Sequence, residues 1–226
     1  MTSTRLDGKR VLLTQANDFM GPALTEVFRD SGAEVIADTQ ALDQDPALPA
    51  AMVRAAGRVD VLLVHLALPA PSTPVGEISD VEWRTVFAHL VDPLPRLVSA
   101  VLPQMLERGS GRILVMGSAA ALRGQKRTGT YSAARGAQLS YVQAVALELV
   151  QHGSTARQAG KCRGGRSVRC VSLQRCSGLL RWSGVSNQWR LGQPLSWARC
   201  GKTSSVSLPR TTLWRADIGR LTAAVG

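Results

Sequence analysis

The sequence predicts an α/β fold, a doubly wound parallel sheet with helices on both faces. Short Val- and Leu-rich runs alternate with stretches whose apolar residues recur at helical spacing. The short runs are apolar throughout rather than at every second position, which is typical of parallel strands that are covered on both faces. The chain has 226 residues, 45% of them hydrophobic, which suits one domain with a sizeable core and leaves little room for two.

The predicted elements alternate along the first two thirds of the chain. Four apolar runs are predicted strands: 10–14, 34–37, 59–65 and 112–116. Four stretches are predicted helices: 21–31, 46–56, 79–109 and 129–150. Gly32 ends the first helix, and the second is Pro- and Ala-rich with a weak period. Ser79 and Glu82 have the spacing of a capping box at the start of the third, which Pro93 and Pro95 are expected to kink. The fourth carries Ala133, Ala134, Ala137, Val142, Ala144 and Leu147.

Charge divides the chain into two unequal parts. The net charge is +11, but residues 1–153 hold 14 basic and 15 acidic residues, a net charge of −1, and residues 154–226 hold 13 and 1, a net charge of +12. A basic segment can indicate nucleic-acid binding, yet the Arg residues here are scattered, with no helical stripe and no recognised motif. We therefore expect no nucleic-acid partner.

The composition of 154–226 is as unusual as its charge. It contains all four Cys and four of the five Trp, and no strand or helix period persists through 154–166. The Cys separations of 8, 6 and 24 positions fit no zinc spacing, so no metal site is predicted, and a disulfide set is not expected inside a cell. We interpret 154–226 as an aberrant segment, translated from a shifted reading frame of a GC-rich gene and largely disordered. A basic binding extension is the alternative.

Membrane insertion and secretion are not predicted. No run of 18 or more apolar residues is found, and residues 1–10 lack the pattern of a signal peptide. A cytoplasmic location is expected.

The residues that carry chemistry follow the fourth predicted strand. Ser118 comes directly after that strand, and Tyr131 opens a helix thirteen residues later. Arg135 is four residues beyond Tyr131 and so shares its helical face. A nearby cation favours the phenolate and lowers a tyrosine pKa, which makes Tyr131 a candidate general base. Ser118 is expected to hold a substrate hydroxyl against it.

A strand-end Ser followed by Tyr-x-x-x-Lys resembles the short-chain dehydrogenase/reductase family, with Arg135 in the place of the Lys. The resemblance covers residues 8–153 and implies a Rossmann-like sheet. In that family a glycine-rich turn after the first strand approaches the cofactor's pyrophosphate. Here the turn is Thr14–Gly21, in which Gly21 is the sole glycine, Asp18 adds a negative charge and Phe19 adds a ring. The pyrophosphate site is predicted to be lost, and no cofactor is expected.

The same turn reads Thr, four residues, an aromatic residue, one residue, Gly. Together with Ser118 and Tyr-x-x-x-Arg it resembles the halohydrin dehalogenases, a cofactor-independent branch of the same fold in which Thr14 and Gly21 belong to the motif. The resemblance implies that Ser118 and Tyr131 bind the hydroxyl of a vicinal haloalcohol and that Arg135 tunes Tyr131.

In that family the base removes the hydroxyl proton, and the alkoxide displaces the neighbouring halide to give an epoxide. The resemblance also implies the reverse opening of epoxides by small anions such as azide, cyanide or nitrite. It places Phe19 in the wall of the halide pocket and implies a homotetramer.

Two alternatives remain open: an NAD(P)-dependent short-chain reductase with a degenerate turn, and a non-catalytic, incomplete product. Two further polar residues bear on the choice. His65 ends the third predicted strand, where reductases of the family commonly continue with Asn-Asn-Ala-Gly, and we expect it to be a packed, hydrogen-bonded residue. Asp38 stands where NAD-dependent enzymes bind a ribose, but Asp also commonly begins a turn.

Overall fold

A computed structural model describes residues 5–150 and 157–161 of the chain. Within these residues one parallel sheet is formed, in the order β2-β1-β3-β4-β5. Its strands are β1 (Arg10–Leu13), β2 (Glu34–Ala37), β3 (Val61–Val64), β4 (Arg112–Ser118) and β5 (Arg157–Lys161). The helices are α1 (Gly21–Asp30), α2 (Leu48–Ala56), α3 (Asp80–Leu90), α4 (Pro93–Glu107), α5 (Ala120–Arg123) and α6 (Gly129–Val150).

The sheet is covered on both faces, as the sequence predicts. Side chains alternate between faces along a strand, so Val11 and Leu13 enter one core cluster and Leu12 enters the other. The first cluster packs against α1, and the second packs against α2, α3, α4 and α6. This arrangement confirms the doubly wound α/β fold.

The long helix predicted over 79–109 is two helices. α3 ends at Leu90, and α4 begins at Pro93, because a proline has no N–H to continue the helical ladder and suits a first helical position. By length and composition alone, Asp80–Glu107 could cross a membrane. Leu90, Leu94 and Leu97 are fully buried in the core, however, so core packing accounts for the apolar character of this region.

Only one of the two hydrogen bonds of the predicted capping box at α3 is formed. Ser79 Oγ accepts a hydrogen bond from Glu82 N at 3.1 Å, as expected of an N-cap. The carboxylate of Glu82 turns away from Ser79 and accepts from Thr73 Oγ1 at 2.6 Å and from Thr130 Oγ1 at 2.7 Å. Glu82 therefore connects the loop before α3 to the first turn of α6.

The strand β5 differs from the expectation that no strand follows Gly153. Residues 157–161 pair in parallel with β4, from Leu114 opposite Arg157 to Ser118 opposite Lys161. A parallel ladder is made by backbone groups, which a sequence without an apolar period also supplies. The rest of the segment interpreted as aberrant, 154–156 and 162–226, lies outside the described residues.

Candidate active site

The sheet has one topological switch point among its described strands. The chain passes from β1 to β2 on one side and then returns across β1 to β3 on the other. In such sheets ligands bind in the crevice beyond the carboxyl ends of the strands at the switch point. The crevice between the ends of β1 and β3 is therefore where a ligand is expected.

Thr14 joins the two strands at this crevice. Its side chain is fully buried; Oγ1 donates to His65 O at 2.8 Å and accepts from His65 N at 2.9 Å. One hydroxyl thus satisfies a buried carbonyl and a buried N–H that follow β3. These two hydrogen bonds to the backbone after β3 explain the threonine at the first position of the turn.

The turn after Thr14 holds two non-glycine residues in left-handed backbone conformations, Gln15 at φ 47° and Phe19 at φ 41°. Such conformations favour glycine and cost about 1–3 kcal/mol for other residues. The turn closes on Gly21, where an added Cβ would lie 2.3 Å from Ala16 O. Only glycine allows α1 to begin this close to the turn.

Gln15 spans the crevice. Its Oε1 accepts a hydrogen bond from Ala67 N at 2.6 Å, and its carbonyl lies 3.1 Å from His65 Nδ1. The residue is buried. The side chain that follows β1 thus reaches the backbone that follows β3, directly across the switch point.

Tyr131 and Arg135 are brought together on α6. The Arg135 guanidinium carbon lies 5.0 Å from the centre of the Tyr131 ring, within the range of a cation–π contact. Arg135 is only 6% exposed. Its Nη1 donates to Met116 O at 3.1 Å and its Nη2 to Leu66 O at 2.9 Å, so it ties α6 to the carboxyl ends of β3 and β4.

Ser118 is the last residue of β4, two positions after the carbonyl that Arg135 binds. Its Oγ accepts from Ala120 N at 3.3 Å, which leaves the hydroxyl proton to be donated elsewhere. Ser118 and Tyr131 are both partly buried. The structure places the two at the same edge of the sheet, on elements that pack against each other.

Residues 6–159 match the model of the short chain dehydrogenase family. The chain belongs to the short chain dehydrogenase family. The match extends past residue 153, the end of the resemblance inferred from the sequence motifs, and includes the start of β5.

Comparison with curated proteins gives relatives with oxidoreductase names. The chain is 32% identical over 171 residues to 2-keto-3-deoxy-L-fuconate dehydrogenase of Xanthomonas campestris, covering 67% of this chain and 57% of that protein. It is 30% identical over 174 residues to sorbitol dehydrogenase of Cereibacter sphaeroides, covering 66% and 68%. The chain thus spans little more than half of the first of these relatives.

Comparison with solved structures adds a different name. A structure named "Dehalogenation enzyme" is 29% identical, with a TM-score of 0.60, and the match covers 69% of this chain and 71% of that one. A gluconate 5-dehydrogenase from Burkholderia cenocepacia, solved with NADP and tartrate, has a TM-score of 0.62 at 19% identity, over 70% and 71% of the two chains. The second likeness shows the shared fold alone.

Phe19, predicted to line a halide pocket, is 80% exposed. It lies on the turn before α1. The segment that the resemblance assigns to the rest of a halide pocket follows Gly153 and lies largely outside the described residues. The pocket therefore stays a prediction.

His65 is buried and hydrogen-bonded, as its interpretation as a packing residue expects. Burial is the largest cause and lowers its pKa; the hydrogen bond with the Gln15 carbonyl opposes this, and the charge of Arg135 lowers the pKa further. Because that carbonyl can only accept, we assign the proton of the neutral ring to Nδ1. Asp38 begins a turn: its Oδ1 accepts from Gln40 N at 2.9 Å and its Oδ2 from Gln40 Nε2 at 3.0 Å.

The sequence does not predict the contacts that three polar residues near the site make: Gln15, Glu82 and Gln138. Gln138 carries a usable signal, because it lies on the buried stripe of α6 between Ala134 and Val142, and a polar residue in an apolar stripe needs a partner. Glu82 was assigned to a cap. The hydroxyls of Thr73 and, less strongly, Thr130 hold the pKa of Glu82 below its usual range, so its carboxylate is ionised where it supports the first turn of α6.

Proposed function

We propose that this chain acts on vicinal haloalcohols as a halohydrin dehalogenase, without a nicotinamide cofactor. The observation that carries the proposal is the side chain of Gln15, which bridges the switch-point crevice to Ala67 N. A dinucleotide in this fold lies in that crevice with its pyrophosphate against bare backbone. Side chains at the two left-handed positions of the turn do not fit such a group. The 29% identity to a structure named "Dehalogenation enzyme" supports the same choice.

The proposed reaction is an intramolecular displacement. The Tyr131 phenolate takes the proton from the hydroxyl of the haloalcohol, and the resulting alkoxide oxygen attacks the adjacent carbon. As the new C–O bond forms, the C–halogen bond breaks, and an epoxide and a halide ion leave. The phenol then returns its proton to water. Atoms and charge balance without an oxidant or a reductant.

The neighbouring residues supply orientation and charge for this step. The Ser118 hydroxyl, which keeps its proton while accepting from Ala120 N, donates to the substrate oxygen. Arg135 places its positive charge beside the Tyr131 ring, within the range of a cation–π contact. General-base catalysis of this kind contributes roughly 10²–10⁴-fold in rate.

A second candidate is NAD(P)-dependent reduction or oxidation by the same Ser118 and Tyr131. The names of the curated relatives favour it: they include dehydrogenases of 2-keto-3-deoxy-L-fuconate and sorbitol. For this activity the Gln15 side chain has to leave Ala67 N, and Asp38 has to release Gln40.

The experiment follows two products in parallel with the purified full-length chain. Bromide release from a vicinal bromoalcohol tests dehalogenation, and absorbance of NADH or NADPH with a ketone tests reduction. We expect bromide release, and we expect Tyr131→Phe to abolish it. The matched control is Tyr141→Phe, a partly buried tyrosine further along α6, which should retain the rate.

Each outcome selects one hypothesis. Cofactor consumption without bromide release supports the reductase. Bromide release that persists at the wild-type rate in Tyr131→Phe overturns the assigned base. The absence of both activities in a folded wild-type chain supports the non-catalytic alternative.

A further inference from the structure

We propose that Gln138 is a positioning residue that holds Arg135 against Tyr131, and that the break between α3 and α4 provides its anchor. The proposal deepens the function above and rests on Tyr131 as the base. The resemblance to the halohydrin dehalogenases assigns no role to Gln138.

The amide of Gln138 connects two groups in the core. The residue is 0% exposed. Its Oε1 accepts from Arg135 Nη1 at 3.0 Å, and its Nε2 donates to Leu90 O at the end of α3. A chain of contacts therefore runs from α3 through Gln138 and Arg135 to the ring of Tyr131.

The anchor exists because the helix breaks at Pro93. In a continuous helix, Leu90 O would accept from Leu94 N, four residues later. Here Leu94 N bonds Val91 O at 3.1 Å instead, because α4 starts afresh at the proline. The carbonyl of Leu90 is thereby left for the Gln138 amide. The break between α3 and α4 is distant from Tyr131 in the sequence, but Gln138 and Arg135 connect it to this proposed base.

Gln138 differs from the other acceptors that hold Arg135. Met116 O and Leu66 O are backbone atoms, so no side-chain substitution removes them. Gln138 is the side-chain acceptor of this guanidinium among the described residues. The two bonds also require an amide, because the group must accept on one side and donate on the other.

Arg135 has one further buried donor. Its Nε has no hydrogen-bond partner among the described residues. The orientation of the guanidinium therefore depends on the bonds that its Nη1 and Nη2 make. The bond to Gln138, together with the two carbonyls, fixes the plane of the guanidinium beside the phenol ring.

The test compares Gln138 with a matched glutamine at the other end of the sheet. Gln104 also accepts from an arginine, Arg108 Nη1 at 2.9 Å, and its Nε2 donates to a backbone carbonyl, Gly57 O at 3.1 Å. The paired variants are Gln138→Leu and Gln138→Glu against Gln104→Leu and Gln104→Glu. They make the same substitutions, but Gln104 lies on α4 and contacts Gly57 and Val59, in the segment before β3 at the amino ends of the strands.

The readout that does not need activity is NMR of the chain labelled with ¹³C at Cζ of tyrosine. The sequence has two tyrosines, and Tyr131→Phe assigns the signals. Gln138→Glu puts an anion on Arg135 and offsets its charge, so the Cζ chemical shift of Tyr131, measured at one fixed pH, should differ from that of wild type. Gln104→Glu should leave it unchanged. His65, whose pKa the charge of Arg135 lowers, and Asp18, which acts on His65, are the same in all variants.

The kinetic readout is bromide release. Gln138→Leu should lower kcat by roughly 10-fold or more, up to about 100-fold, with little change in KM, because the base is misplaced while substrate contacts remain. Pro93→Ala is a second route to the same loss, since it restores an N–H and lets Leu94 N take Leu90 O. This variant keeps the amide intact if Gln138→Leu fails to fold.

The proposal is overturned if folded Gln138→Glu leaves the Cζ chemical shift of Tyr131 where it is in wild type. It is also overturned if the Gln104 variants change kcat as much as the Gln138 variants do, because the effect would then be general destabilisation. Failure of the proposed function has a different result: no bromide release by wild type, with the Tyr131 chemical shift still changed in Gln138→Glu.

Discussion

Ala67 N donates a hydrogen bond of 2.6 Å to Gln15 Oε1, across the carboxyl ends of β1 and β3. The residue that accepts this bond has a left-handed backbone, at φ 47°. Ala67 N is partly buried, so loss of its partner costs up to about 1–3 kcal/mol, which is comparable to the cost of the left-handed conformation in a non-glycine residue. The hydrogen bond to Ala67 N therefore offsets the strain of the left-handed backbone. This explains how Gln15 can stand at a position that favours glycine.

The first prediction concerns nucleotide binding. We expect no saturable binding of NADH or NADPH to the wild-type chain, measured by calorimetry, because the Gln15 side chain lies in the crevice. Gln15→Gly is the informative comparison, since glycine suits the backbone angle and removes the side chain. Saturable micromolar binding by wild type would contradict the prediction and favour the reductase. Binding that appears only in Gln15→Gly would show that this side chain is the obstacle.

The second prediction concerns Gly21. A Cβ at this position would lie 2.3 Å from Ala16 O and 2.7 Å from Gln15 O, both backbone atoms, so α1 or the turn has to move. We expect Gly21→Ala to lower the free energy of unfolding by about 1–3 kcal/mol, measured by urea denaturation. The control is Gly76→Ala, where an added Cβ meets nothing within 4 Å. An equal effect of both substitutions would mean that the close approach at α1 is unimportant.

How far the sequence predicts this molecule depends on the kind of interaction. The strands β1 to β4 and the helices α1 and α6 follow from local apolar period and end signals such as Gly32. The strand β5 does not, because its pairing depends on backbone groups of β4 rather than on its own sequence pattern.

The candidate site shows the same division. Ser118, Tyr131 and Arg135 are recognisable because their spacing is local once the elements are placed. Gln15 is recognisable as an absent glycine, but its partner Ala67 is 52 residues away, and Gln138 depends on a carbonyl 48 residues away. No local pattern encodes either contact.

The third prediction concerns Arg135. The guanidinium reaches three acceptors with two nitrogens, namely Met116 O, Gln138 Oε1 and Leu66 O. A lysine has a single nitrogen that cannot match this fork, and it can lose its proton. Arg135→Lys should therefore lower the rate of bromide release and change its pH profile. Arg84→Lys serves as control, since Arg84 makes an exposed ion pair with Asp80 on α3. An unchanged pH profile in a folded Arg135→Lys variant would argue against charge tuning of Tyr131.

The last prediction concerns His65 and the pH dependence of stability. Burial, with the charge of Arg135, lowers the pKa of His65 below its ordinary value of 6.5. Between the lowered value and about 6.5, the unfolded chain binds more protons at this residue than the folded chain does, so the free energy of unfolding rises with pH in that window. The contribution of His65 is complete above about 6.5 and is lost as the pH falls toward its folded pKa.

His65→Asn removes the titration, and its amide N–H can still donate to Gln15 O in the place of Nδ1–H. Urea unfolding of both proteins across about pH 5–7.5 should give a steeper decline on the acid side for wild type than for His65→Asn. Since every other titratable group is shared, parallel curves would show that His65 takes up no extra proton on unfolding and that its buried, neutral state is wrongly assigned.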